Sequence, residues 1–266
     1  MESVVVSPEL SLTSLAMNAG ADTGVPLVML HGLVSGNMAT WYSSLASPLS
    51  ADRTVVIYDQ RGHGGSGTAA SGFDLDSQAS DLDAVLAHHG LAGAPVDLAG
   101  HSMGALIALR FALRHPGRVR RLALVDAPMP AGDFVGPSLL GAASPEALAA
   151  WLDSRQEGGL AGLAGRRRAR MLQRLEQLLF ASTLVADVLA MGSEPDDRLA
   201  ALALPVLLVY GRQSPCLAAA AHLQQRLPDA SLRLLDCGHY IPDEAPAELL
   251  AALRHFFTQG QAHVQT

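Results

Sequence analysis

Lysine is absent from all 266 residues, so every basic side chain other than histidine is an arginine. That excludes mechanisms built on a lysine Schiff base or a lysine nucleophile. Cysteine is scarce: Cys216 and Cys237 are the only two. Two thiols make neither a disulfide framework nor a four-ligand zinc site, and reduced cysteines are the expectation. Positive charge is also short. Eighteen arginines against 25 acidic residues leave a formal charge of -7, which argues against a nucleic-acid partner, because neutralising phosphates takes a basic surface. No uninterrupted apolar run is long enough to span a bilayer. The opening MESVVVSPEL lacks the charged start and long apolar stretch of a signal peptide. A soluble, cytoplasmic protein with no membrane partner is therefore expected.

What is present is a globular composition, 49% apolar and 16% charged, with enough chain for one large core or a core plus an insertion. Short β-branched runs alternate with longer segments of helical period, the pattern of a mostly parallel sheet with crossover helices. Residues 26–30, 54–58, 96–99, 119–125, 205–210 and 231–235 read as strands, and SVVV with LSLTSLAMN as an antiparallel pair at one edge. Helices are expected over 74–89, 103–114, 217–227 and 245–257. The stretch from about 128 to 201 breaks this rhythm. Ser144-Pro145-Glu146 is a helix start, a second helix is expected over 166–181, and no strand-like run occurs. The expected organisation is a core of residues 1–128 and 202–266 with a helical cap of 129–201 inserted after the sixth of eight strands.

Gly100-His101-Ser102-Met103-Gly104 follows the strand PVDLA and opens a helix. In that setting G-x-S-x-G is a sharp turn that lifts a serine hydroxyl above the sheet, and small residues permit it. His31-Gly32-Leu33 follows an earlier strand, where a backbone N–H can point at a developing oxyanion. DQRGHGGS follows the next strand, and Cys237-Gly238-His239 follows the last, placing an imidazole where a general base is needed.

Together these motifs, with GHYIPDEAP before the last helix, resemble the α/β-hydrolase fold family over about residues 3–258. The resemblance implies acyl transfer to water through an acyl-serine intermediate, with no cofactor and no metal. By it Ser102 is the nucleophile, His239 the general base, and the backbone N–H groups of Met103 and Leu33 the oxyanion hole. A serine at the elbow separates the chain from dehalogenases and epoxide hydrolases of this fold, which use an aspartate there.

One family feature fails. Most members carry the triad acid in a G-x-x-D loop, and Gly211-Arg212-Gln213-Ser214 occupies that place here. A serine brings no charge to stabilise imidazolium. Asp126, at the end of the strand RLALVD, is the expected replacement: in the family's usual order that strand neighbours the one carrying Ser102, at about 4.8 Å. The bland alternative is a carboxylate that packs the loop. His31, Met38, Trp41, Met129, Phe134, Trp151 and Phe180 are candidates for an apolar substrate pocket, with core packing as the competing role. His63 and His101 are expected to make structural hydrogen bonds. The run GRRRAR reads as solvated surface, or as a site for coenzyme A or an acyl carrier protein. The best reading is an esterase, thioesterase or lactonase of a small-molecule apolar acyl substrate. A tailoring hydrolase or thioesterase acting on a carrier-bound chain, and a non-catalytic ligand-binding member of the fold, are the alternatives.

Overall fold

The computed structural model describes residues 1–19, 24–33, 36–129, 144–154 and 164–258. Eight strands form one sheet in the order β1-β2-β4-β3-β5-β6-β7-β8. β1 (Glu2–Ser7) and β2 (Leu10–Met17) pair antiparallel, and β2 runs antiparallel to β4 (Val55–Tyr58). All other pairings, among β3 (Leu27–Leu30), β4, β5 (Val96–His101), β6 (Val119–Val125), β7 (Val206–Gly211) and β8 (Ala230–Leu235), are parallel.

The burial of each strand follows from its place. LVML of β3, VVIY of β4 and VLLVYG of β7 are buried at every residue, because parallel strands have helices on both faces and so read as continuous apolar runs. β8, at the edge, alternates between more and less exposed positions.

Helices α3 (Leu75–His88), α4 (Met103–Arg114) and α9 (Leu217–Arg226) contribute to the apolar cluster on one face. The other face carries α11 (Pro246–Thr258) and a helical stretch made of α1 (Ala39–Trp41), a π-wound segment Tyr42–Ala46, and α2 (Ser47–Leu49). That stretch was not foreseen; Ser43, Ser44 and Pro48 interrupt its apolar period. Between β6 and β7 the described residues form α5 (Pro145–Ser154), α6 (Gly165–Phe180), α7 (Leu184–Leu189) and α8 (Asp196–Ala200), and no strand.

A buried ion cluster fixes α11 to the sheet. Asp97, wholly buried on β5, bonds Arg53 at 2.8 Å and Arg120 at 2.9 Å. Both guanidinium groups also donate to the carbonyl of Phe257, and Arg121 donates to that of Phe256. The arginines thus satisfy carbonyls that the helix end leaves without intrahelical donors.

The parallel register sets up the site. His101 pairs with Val125, and Val125 with Val209. The N–H of Ser102 donates to Val125 O at 2.9 Å and that of Asp126 to Val209 O at 2.7 Å. Residues that follow β5, β6, β7 and β8 therefore converge at the carboxyl edge of the sheet, where open α/β sheets bind ligands.

Candidate active site

Ser102 stands between β5 and α4 with φ 53° and ψ −120°. A residue bearing a Cβ adopts this conformation only when its surroundings over-determine it. Here the flanking glycines do so. A Cβ on Gly100 would lie 2.2 Å from the carbonyl oxygen of Gly104, and one on Gly104 would lie 2.4 Å from that of Leu30. Both obstacles are backbone and cannot swing aside, so the elbow closes only with glycine at each position. The turn presents the hydroxyl toward the end of β8.

His239 follows β8 and receives that hydroxyl. Its Nε2 lies 3.0 Å from Ser102 Oγ, and its Nδ1 lies 2.6 Å from Asp126 Oδ2. The side chain of Asp126 is fully buried, whereas that of His239 is 22% exposed. A buried carboxylate needs donors, and Asp126 has three. Gly211 N–H donates to Oδ1 at 2.9 Å, and both the Ser214 hydroxyl and the imidazole engage Oδ2. Asp126 also has positive φ, 49°, so the backbone is bent to aim this carboxylate.

Ser214 occupies the place of the missing G-x-x-D acid, and it takes part as a donor. Its oxygen accepts the N–H of Cys216 at 3.0 Å, leaving its own proton for Asp126. It bonds the carboxylate, not the imidazole. Sequence reasoning asked only what Ser214 lacked; the signal it passed over is that a single imidazole cannot satisfy a buried carboxylate.

The imidazole is held from behind as well. Glu244, at the end of α10 (Ile241–Glu244), accepts the N–H groups of Gly238 at 2.6 Å and Tyr240 at 3.0 Å, clamping both neighbours of His239. His101 bonds the carbonyl of His239 through Nε2 at 2.8 Å. Both contacts hold the loop backbone and take neither ring nitrogen of His239.

Met103 is the first residue of α4, so its N–H has no intrahelical acceptor and lies beside the serine. Leu33 approaches through Gly32, where a Cβ would stand 3.3 Å from Ser102 Cβ. Asp59 braces this approach, accepting Met38 N–H at 2.7 Å and Gly65 N–H at 2.6 Å.

Among the described residues, the candidates for the pocket lie against both core clusters. Trp41 is fully buried in the cluster that carries α11, because that face of the sheet is closed by apolar helices. Met38 packs on the same cluster. Phe180, at the end of α6, is 42% exposed. His31 is buried and makes structural bonds, with Nδ1 2.7 Å from Gly32 O and Nε2 accepting Gln60 N–H at 3.0 Å. Trp151 packs on the edge of the other core cluster, and Phe134 lies outside the described residues. Met129 alone of this set lines a described cavity, with Leu75, Leu106, Leu109, Pro128 and Leu223.

His31 and His63 are buried, and desolvation pushes their pKa values down to about 4 and about 3. In the unfolded chain, imidazoles titrate near 6.5. The unfolded state thus takes up protons that the folded state refuses, and stability is complete above pH 6.5 and falls as pH drops toward 4. At pH 5 each costs about 2 kcal/mol relative to pH 7.5. Burial raises the carboxyls of Asp81 and Asp97, which acts in the opposite sense. A urea midpoint that falls between pH 7.5 and pH 5 is expected; an unchanged midpoint contradicts buried neutral imidazoles.

With this geometry in view, the comparisons with known proteins are informative. Residues 25–177 match the family described as the alpha/beta hydrolase fold. The pimeloyl-[acyl-carrier protein] methyl ester esterase of Chromobacterium violaceum is 32% identical over 257 residues, covering 91% of this chain and 95% of that protein. The dihydrolipoyllysine-residue acetyltransferase component of the acetoin cleaving system of Pseudomonas putida is 39% identical over 106 residues, 40% of this chain and 28% of the relative. Among solved structures, an esterase from Rhodococcus sp. ECU1013 superposes with TM-score 0.72 at 25% identity, covering 97% of this chain and 98% of that one. An N-acyl homoserine lactone degrading enzyme gives TM-score 0.73 at 26% identity, covering 96% and 100%. The chain belongs to the α/β-hydrolase family. Among the described residues, no helix is long and apolar enough to cross a membrane.

Proposed function

We propose that the protein is a serine hydrolase that cleaves an ester, thioester or lactone of an apolar acyl group through an acyl-serine intermediate. The observation that carries this reading is the hydrogen-bonded row Ser102 Oγ, His239 Nε2, His239 Nδ1, Asp126 Oδ2. In the acylation step Nε2 takes the hydroxyl proton as Oγ bonds the acyl carbon. The buried Asp126 charge stabilises the imidazolium, and the N–H groups of Met103 and Leu33 receive the oxyanion. Imidazolium then protonates the leaving alcohol, thiol or ring oxygen, and the same base activates water for deacylation. The relatives that act on a methyl ester and on a homoserine lactone support this class. The helices between β6 and β7 act as the cap in this reading.

A fluorophosphonate probe tests it. One adduct per chain, mapped to Ser102, is expected, with hydrolysis of acyl esters that varies with chain length. No adduct and no turnover across an ester panel would instead favour a ligand-binding member of the fold.

A second reading is favoured by α6. Arg166, Arg167, Arg170 and Arg174 are exposed on it, while Arg168 is paired with Asp153. An acyl chain presented on an acidic carrier would find its charge complement there, and the Chromobacterium relative is named for such a substrate. Replacing Arg166, Arg167 and Arg168 by glutamine then lowers turnover of a carrier-bound ester by about tenfold or more, through loss of charge pairs of about 0.2–1 kcal/mol each. Free esters are cleaved as before. Equal turnover of the carrier-bound ester by both proteins rejects this reading.

A further inference from the structure

Cys216 has no part in the hydrolytic row, yet its Sγ lies 3.6 Å from His239 Nδ1. Cys216 Sγ, His239 Nδ1 and a carboxylate oxygen of Asp126 all lie within 4.8 Å of one another. Zinc binds such donors at about 2.3 Å to sulfur and 2.0–2.2 Å to nitrogen or oxygen. Tetrahedral angles at those lengths place sulfur and nitrogen about 3.5 Å apart, and nitrogen and oxygen about 3.3 Å apart. The Sγ–Nδ1 edge already has that length. The Asp126–His239 edge, at 2.6 Å, must open by less than an ångström.

We infer that Cys216, His239 and Asp126 form an inhibitory site for a thiophilic divalent cation, zinc or cadmium. This inference rests on the proposed roles of Ser102 and His239. The donor set of one thiolate, one imidazole and one carboxylate selects borderline-soft ions over magnesium and calcium, which prefer all-oxygen ligands. The Ser214 hydroxyl and the Gly211 N–H already orient the carboxylate, as outer-shell partners do at metal sites.

Inhibition follows from the imidazole tautomer. In the hydrolytic row the proton sits on Nδ1, facing Asp126, and the lone pair on Nε2 faces Ser102. A cation on Nδ1 needs the lone pair there, so the ring's one proton moves to Nε2 and points at the serine. The base then has nothing with which to accept the hydroxyl proton. Cys216 releases its thiol proton to solvent, one sulfur–metal bond forms, and nothing is oxidised or reduced.

The test uses the full chain, freed of metal with a chelator and then titrated with zinc or cadmium. Ester hydrolysis is expected to fall with either ion, to return on chelation, and to ignore magnesium and calcium. In Cys216→Ser and Cys216→Ala, each compared with its own metal-free rate, the half-inhibitory concentration rises by more than about a hundredfold, beyond what loss of a mere outer-shell partner costs. Cys237→Ser, which alters the other cysteine, behaves as wild type. Cadmium also gives an ultraviolet thiolate band that saturates at one ion per chain and vanishes in the Cys216 variants. Unchanged inhibition in those variants, or no cadmium band in the wild type, overturns the site. Fluorophosphonate labelling of the metal-free protein separates the two claims: without an adduct on Ser102 the hydrolytic reading fails, while the cadmium band still reports the metal site.

Discussion

Replacing Ser102 by alanine is expected to lower ester turnover by about 10⁵–10⁶-fold, the scale of losing the nucleophile in a serine relay. The residual rate would come from substrate binding and the oxyanion N–H groups, which this change leaves in place. The same position makes a stability prediction with a definite sign. Alanine keeps the Cβ, so Ser102→Ala retains the cost of φ 53° and ψ −120°. Ser102→Gly removes it, and urea unfolding should find that variant more stable than Ser102→Ala by about 1–2 kcal/mol. That outcome would identify the elbow as a strained feature kept for chemistry. A serine kept for packing alone would leave turnover within a few-fold in both variants.

Replacing Asp126 by asparagine is expected to lower turnover by at least 10²-fold and toward about 10⁴-fold, with the fold intact. The local donors explain why so small a change is severe. Gly211 N–H donates to Oδ1, while the Ser214 hydroxyl and the imidazole share Oδ2, so an asparagine amide meets donors at both of its ends. With its oxygen on Gly211 N–H, the amide nitrogen faces His239 Nδ1. Two donors cannot pair, and the ring responds by moving its proton to Nε2, the tautomer that cannot deprotonate Ser102. Adding Ser214→Asp to Asp126→Asn puts a carboxylate in the loop after β7, and recovery of about tenfold or more is expected. Near-normal turnover by Asp126→Asn alone would show that this carboxylate only packs the loop.

The parallel core was readable because burial on both faces leaves nothing but apolar residues in β3, β4 and β7, bounded by turns. Ser102 was readable because its glycines are forced by backbone contacts that no other residue tolerates. Asp126 could be approached only through strand order: its partners are 85 and 113 residues away, and what joins them is the register of β6 against β5 and β7. The pocket was the least legible part. Hydrophobicity announces that Trp41 will be buried, but not on which face of the sheet, and it sits under α11, away from the serine's helix. The part Ser214 plays was not legible for a related reason. Residue type shows which charge a hydroxyl lacks, whereas its use depends on where its proton points, and Cys216 N–H settles that.

The account centres on a proton: Asp126 holds it on Nδ1 of His239 so that Nε2 can accept from Ser102. Nitrogen-15 NMR of the neutral His239 ring in metal-free protein measures this directly. The account predicts a protonated, pyrrole-like Nδ1 and an unprotonated, pyridine-like Nε2, with the pattern lost in Asp126→Asn. A wild-type ring that carries its proton on Nε2 would contradict it.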